Sequence, residues 1–132
     1  MQYLKTYLQT ITDRGNIRLA ESISKTAEEV GVQHISRFSF CSHEIGLLFG
    51  NVQSGKTGQM FGIISKAADM GFPAFVLLTT DNVVLQQQTL ERVKADLKGF
   101  CICGENDSGL FIENRLMDPV IIVLKKNARI LR

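Results

Sequence analysis

The sequence predicts an α/β fold: a three-layer α/β/α sandwich with a mostly parallel sheet. Two observations predict it. Continuous apolar runs, typical of parallel strands that are covered on both faces, alternate along the chain with segments of helical periodicity. The glycine-rich stretch Gly50–Thr57 also lies between one apolar run and one helical segment. Such an alternation of strand and helix favours a parallel sheet with helices on both faces.

The composition is that of an ordinary globular chain. Its 132 residues allow one domain with a substantial core, and hydrophobic and charged residues make up 45% and 21% of it. No apolar run approaches the roughly 20 residues of a membrane span, so we expect no membrane partner. The net charge of +2 indicates no class of partner by itself. Three cysteines without framework spacing indicate a reducing compartment, and we expect a cytoplasmic location.

Residues 1–44 are predicted to form a helical extension that packs on the main domain. Apolar residues recur at helical spacing over residues 3–14, and Gly15 is a plausible stop. A second helix is predicted from about Ile17, with Gly31 ending it. The inward-facing residues are predicted to be Leu4, Leu8, Ile11, Leu19, Ile23, Ala27 and Val30.

Residues 32–40 do not predict one structure. Alternation of side chains would allow a strand, and Phe38 or Phe40 could then stack on a nucleotide base. Aromatic side chains more often belong to the core, and we favour that interpretation.

The main domain, residues 45–132, contains the predicted strand–helix alternation. A strand at 45–49 enters the glycine-rich stretch, a helix follows from Lys56 to about Met70, and a second strand covers 74–79. This predicts a β–α–β unit. The remaining predicted elements are a helix capped by Asp81 or Asn82 with Leu85, Leu90, Val93 and Leu97 inward, a short strand at 100–103, an extended piece at 110–112 and a strand at 120–124.

The stretch from Gly50 to Thr57 fits the pattern G-x-x-x-x-G-K-[ST] of a phosphate-binding loop. In such a loop backbone N–H groups turn towards phosphate oxygens, Lys56 reaches the β- and γ-phosphates of ATP, and the Thr57 hydroxyl is placed to bind Mg²⁺. Lys56 and Thr57 are therefore also the candidate catalytic residues. A glycine-rich turn with a surface lysine is the alternative. The predicted nucleotide-binding residues are Gly50, Asn51, Val52, Gln53, Ser54, Gly55, Lys56 and Thr57.

Hydrolysis of ATP requires more than a phosphate-binding loop. An acidic residue at the end of a second apolar strand usually holds Mg²⁺, often beside a glutamate that orients water. The strand at 120–124 runs instead into Lys125 and Lys126, and Asp81 is better placed as a helix cap. The sequence therefore supports nucleotide binding better than hydrolysis.

Four segments together resemble the front part of the Z1-domain family. They are Gly50–Thr57 with its Gln53, the Asp69-x-Gly71 turn before an apolar strand, Leu85-x-x-Gln88-Thr89-x-x-Arg92, and Val123-x-Lys125-Lys126-Asn127. Members are prokaryotic ATPases similar to superfamily-2 helicases, described as candidate endonucleases and linked to restriction and defence. The resemblance covers about residues 45–132 and implies a RecA-like P-loop NTPase lobe, truncated at its C-terminus.

The resemblance also implies partners. The segment 85–92 is similar to a helicase motif that contacts the DNA backbone, which makes Gln88, Thr89 and Arg92 the candidate DNA-binding residues. The family's acidic pair and second lobe would lie beyond Arg132. The resemblance therefore implies half of an ATP site, which binds nucleotide weakly by itself and needs the C-terminal lobe of the same chain.

Two other functions stay open. The first is a P-loop kinase or another small-molecule phosphotransferase. It would need an arginine-rich lid, whereas the stretch 104–109 is acidic. The second is a non-hydrolysing nucleotide-binding or interaction module, in which Lys56 only anchors a phosphate.

Overall fold

Four α-helices and a three-stranded parallel sheet make up the part of the chain that the structure describes. This computed structural model describes residues 2–47, 56–79, 83–104 and 118–125. The chain divides into two compact units, residues 1–71 and residues 72–132. The predicted division at residues 44 and 45 stays a prediction.

The first unit is helical in its described part. Helix α1 spans Tyr3–Asp13, α2 spans Ile17–Gln33 and α3 spans Lys56–Asp69, with a short 3₁₀ turn at Ile35–Arg37 after α2. Gly15 separates α1 from α2 with a φ of +87°, a conformation that glycine adopts without strain. The first two predicted helices are therefore confirmed.

The core of this unit lies where the three helices meet. Tyr7 of α1, Ile23 of α2 and Phe61 of α3 are almost completely buried. The rings of Tyr7 and Phe61 meet edge to face, with centroids 6.2 Å apart. Helices α1 and α2 each contribute an apolar stripe, as the spacing of their residues predicts.

Three details of the first unit differ from the prediction. Helix α2 continues through Gly31, which is buried beneath the Lys66 side chain and so serves close packing instead of ending the helix. Phe40 is not core, because its side chain is 77% exposed. Ile45 and Leu47, the described apolar residues of the predicted first strand, are 86% and 81% exposed and are not in a strand. An apolar run forms a buried strand only beside a neighbouring strand, and none pairs with it in the described residues.

The second unit contains the sheet. Its elements are β1 Ala74–Thr79, α4 Val83–Asp96, β2 Cys101–Cys103 and β3 Val120–Lys125. The strand order is β1-β3-β2, and both neighbouring pairs are parallel.

Hydrogen bonds just before the strands extend the sheet at its amino ends. Val120 donates its N–H to the Pro73 carbonyl at 3.0 Å, and Cys101 donates its N–H to the Pro119 carbonyl at 2.9 Å. Both prolines act as hydrogen-bond acceptors at these positions. Their lack of a backbone N–H group therefore does not interrupt this pattern of bonds.

Helix α4 contacts all three strands. Leu90 and Val93 of α4 are buried, and so is Leu97 directly after the helix. Ile121 and Val123 of the central strand β3 are buried as well. This is the covered, nearly all-apolar strand that the run at 120–124 predicts.

The predicted α/β class and the parallel pairing are confirmed, whereas the three-layer, RecA-like arrangement stays a prediction. Among the described residues, no helix combines the length and the apolar character needed to cross a membrane. Several predicted features fall outside the described residues: the end of the strand at 45–49, the caps Asp81 and Asn82, the piece at 110–112 and the segment after residue 125.

Candidate functional site

The end of the predicted phosphate-binding loop coincides with the start of α3. Lys56 is the first residue of this helix and is exposed, and Thr57 follows it, half-buried. The first turn of α3 contains no acidic residue. Unpaired N–H groups and the helix dipole favour an anion at such a position. The other predicted loop residues, Gly50, Asn51, Val52, Gln53, Ser54 and Gly55, lie outside the described residues.

Helix α1 holds the first turn of α3 through a buried hydrogen bond. Tyr7 donates its hydroxyl proton to the backbone carbonyl of Gly58 over 3.1 Å. Gly58 directly follows Thr57, so a side chain from the N-terminal helix contacts the backbone next to the predicted phosphate-binding residues. The spacing of residues along α1 gives no signal for this hydrogen bond.

Two glycines let α2 approach α3 closely. A Cβ atom on Gly62 would lie 2.4 Å from Cγ2 of Ile23, and one on Gly58 would lie 3.4 Å from both Cδ1 of Ile23 and the Tyr7 hydroxyl. Gly58 and Gly62 are four positions apart, which places them on one face of α3. The N-terminal helices therefore pack directly against the helix that begins at Lys56.

A polar contact joins α2 and α3 one turn from Lys56. Gln59 donates from Nε2 to the Ser22 hydroxyl over 2.9 Å. The Gln59 residue is 8% exposed, and its Oε1 has no hydrogen-bond partner among the described residues. Because the Gln59 amide is buried, it can form a hydrogen bond only with a partner in the right position. The contact with Ser22 therefore fixes how α2 and α3 pack at this point.

The far end of α3 supports α1 in return. The Asp69 carboxylate accepts hydrogen bonds from the backbone N–H groups of Tyr3 at 2.8 Å and Leu4 at 3.2 Å. These are N–H groups of the first turn of α1, which have no partner within that helix. Asp69 is therefore a helix cap supplied from 66 positions along the chain. The resemblance had singled out Asp69 without indicating this role.

The candidate DNA-binding residues lie on one side of α4 in the second unit. Gln88 and Arg92 are exposed, and Thr89 between them is half-buried. Arg92 lies four positions after Gln88 and three after Thr89, so it neighbours each of them on the helix surface. Arg92 contacts the buried Asp96 carboxylate through Nε at 3.7 Å, which offsets part of its charge.

The predicted inward residues Leu90, Val93 and Leu97 are buried, and the prediction is wrong only at Leu85. Leu85, predicted to be buried, is 44% exposed, whereas Gln86 is buried. Gln86 donates from Nε2 to the Val123 carbonyl over 3.3 Å, and Gln87 donates to the Gln86 side-chain oxygen over 3.2 Å. A polar residue fits this inward position because it satisfies a backbone carbonyl of β3.

The structure therefore gathers the predicted site residues into two sets. Lys56 and Thr57 begin α3 in the first unit, and Gln88 and Thr89 lie one helical turn before Arg92 on α4 in the second. Among the described residues no group of three or more histidine, cysteine, aspartate or glutamate side chains is arranged to hold a metal ion. Thr57 remains the predicted Mg²⁺ ligand.

Comparisons of the chain with protein-family models, curated proteins and solved structures found no match.

Proposed function

We propose that the chain binds ATP with Mg²⁺ at Gly50–Thr57. We further propose that it serves as the ATP-binding lobe of a helicase- or translocase-type ATPase that acts on DNA in a restriction or defence protein. The observation that carries the proposal is the position of Lys56 and Thr57 in the first turn of α3. They directly follow six residues with the spacing of a phosphate-binding loop.

The surroundings of α3 support a phosphate-binding role. Tyr7 bonds to the backbone of its first turn at Gly58, and Ser22 bonds to the Gln59 side chain in the same turn. A fixed helix start keeps its N–H groups in position before the ligand arrives, which lowers the ordering cost of binding. The exposed Lys56 adds a positive charge to this helix end.

Binding of Mg-ATP by the chain tests the first part of the proposal. We expect Lys56→Ala to weaken binding about tenfold or more, because hydrogen bonds to charged groups contribute about 1.5–3 kcal/mol. Lys25→Ala is the matched control, since it removes an exposed lysine from α2 in the same unit. Isothermal titration of the three proteins with Mg-ATP measures the difference. Equal affinity of the wild type and Lys56→Ala would refute the proposed site.

Turnover is measured in the same samples. The resemblance implies that this chain contributes half of an ATP site, so we expect little release of inorganic phosphate. Appreciable steady-state hydrolysis of ATP that Lys56→Ala abolishes would support the proposed nucleotide site. The same result would refute the interpretation that the chain holds only half of an ATP site.

Binding of a DNA oligonucleotide tests the second part. The exposed side of α4 at Gln88 and Arg92 can contact phosphates, which are the main source of affinity in DNA binding. Arg92→Ala should weaken binding and lower the slope of log affinity against log salt by about one. Lys94→Ala is the control, because Lys94 lies two positions further on and so on another flank of the helix. If both variants bind like the wild type, α4 is not a DNA contact.

A further inference from the structure

Strand β1 forms one edge of the sheet and is apolar on both of its faces. In the strand order β1-β3-β2, it pairs with β3 alone among the described residues. Leu77 is buried and Phe75 is half-buried, whereas Val76 and Leu78, which alternate with them, are 56% and 58% exposed. In the described part of the chain, β1 is therefore open along its outer edge and uncovered on one face.

The backbone groups along the outer edge belong to three alternate residues. Pro73 accepts the N–H of Val120 through its carbonyl, so its backbone oxygen points to β3. Successive residues of a strand direct their N–H and C=O groups to opposite sides. Ala74, Val76 and Leu78 therefore direct these groups away from β3, where a further strand can bond to them.

The outer edge of β1 lacks the features by which proteins usually prevent edge strands from pairing. The strand contains neither a charged residue nor a proline. Its register against β3 runs one to one from Ala74 to Thr79, without the extra residue of a bulge. The opposite edge strand, β2, is only 3 residues long, and a short edge offers few bonds. One edge of the sheet is therefore protected by its shortness, and the other is suited to pairing.

We infer that two copies of the chain dimerise by antiparallel pairing of their β1 strands. A two-fold axis at Val76 places this residue opposite Val76 of the second copy, and Ala74 opposite Leu78 of the second copy. Directly opposed residues of an antiparallel pair can exchange both hydrogen bonds, so every outward N–H and C=O group of these residues is paired. Moving the axis by one residue in either direction would leave an end residue with no opposite residue inside β1. The geometry therefore selects Val76 as the centre.

The side chains of β1 favour a second copy as the partner strand. Because the strand is uncharged, two copies meet without like-charge repulsion at opposed positions. The central pair joins two β-branched side chains, and the flanking pairs set leucine against alanine, large against small. A strand of 6 residues is about 20 Å long, so the interface is small. We therefore expect a dimer that forms reversibly and depends on concentration.

Sedimentation velocity of the whole chain over a range of concentrations tests the inference. We expect the mass of the wild type to rise from that of one chain towards that of two. Val76→Lys and Val76→Glu each place like charges opposite one another at the two-fold axis, so each variant alone should stay monomeric. An equimolar mixture of the two variants should dimerise, because opposite charges then face each other.

Val84→Lys is the matched control. Val84 is a 62% exposed valine on α4 in the same unit, so the variant gains the same charge away from the edge of the sheet. It should dimerise like the wild type. A wild type that stays monomeric at every concentration would overturn the inference and leave the edge to an extended segment of another kind. Equal dimerisation of the wild type, Val76→Lys and Val76→Glu would overturn it as well.

Discussion

Gly62→Ala should destabilise the first unit, because α2 passes too close to α3 for a side chain at this position. The added Cβ would lie 2.4 Å from Cγ2 of Ile23, whereas carbon atoms pack best about 3.5–4.0 Å apart. Ile23 is completely buried, and a β-branched side chain in a helix has essentially one rotamer. The methyl group therefore cannot rotate away, and the two helices must separate.

The size of the effect follows from two opposing terms. Overpacking a well-packed core costs about 1–3 kcal/mol. Alanine in a helix interior is favoured over glycine by about 1 kcal/mol, which offsets part of that cost. Because the contact is so short and Ile23 is rigid, we expect a net loss of about 1–2 kcal/mol in the free energy of unfolding.

Gly31→Ala is the matched control. It is the same substitution inside a helix, but the added Cβ would meet Cε and Cγ of Lys66 at 2.9 Å and 3.0 Å. That side chain is a flexible stem whose ammonium group pairs with Glu28 at 3.1 Å, partly in solvent. The stem can move at little cost, and a partly exposed ion pair contributes little. We expect stability that is unchanged or up to about 1 kcal/mol higher.

Tyrosine fluorescence during urea unfolding measures both variants. The chain has two tyrosines and no tryptophan, and Tyr3 and Tyr7 both lie on α1. The signal therefore reports the first unit alone. A Gly62→Ala protein as stable as Gly31→Ala would refute the reasoning. Combining Gly62→Ala with Ile23→Ala should remove most of the glycine penalty, because the clashing methyl group is then absent.

Three further substitutions test single contacts. Asp69→Ala should lower the stability of the first unit by about 1 kcal/mol through loss of the α1 cap. Asp69→Asn keeps an acceptor oxygen and should lower the stability less. Equal losses of stability in the two variants would argue against capping. Tyr7→Phe should cost about 1 kcal/mol by removing the bond to Gly58, measured by circular dichroism during urea unfolding; an unchanged midpoint would contradict this. Gln86→Ala should lower the thermal midpoint because it removes the buried bond to the Val123 carbonyl. Substitution of the exposed neighbour, Gln87→Ala, should not, and equal effects would contradict the assignment.

Periodicity predicted the helices and strands well where one face is uniformly apolar. The first helix, the strand at 120–124 and the helix after Lys56 follow directly from their spacing. Periodicity placed Leu90, Val93 and Leu97 inside correctly but was wrong at the first turn of α4, where it assigned Leu85 to the interior. Gln86 is inside since a backbone carbonyl of β3 needs a donor there.

Glycine and the candidate site show a second limit of sequence reasoning. Gly31 was predicted to end α2 because glycine commonly ends helices. Here it is a point of close approach, which only the position of Lys66 reveals.

The motif predicted Lys56 and Thr57 at a helix start from eight consecutive letters. The residues that hold this start, Tyr7 and Ser22, come from distant parts of the chain, and local spacing carries no information about them.

The cap on α1 also bears on how the protein is made. The N–H groups of Tyr3 and Leu4 bond to a carboxylate that the ribosome adds 66 positions after Tyr3. Until Asp69 has left the exit tunnel, α1 has neither this cap nor the α3 surface on which Tyr7 is buried. An isolated helix of 11 residues is marginal in water, so α1, which is synthesised before α2 and α3, has to wait for α3 before it is stable. The nascent α1 segment therefore lacks both its cap and its packing surface during that interval.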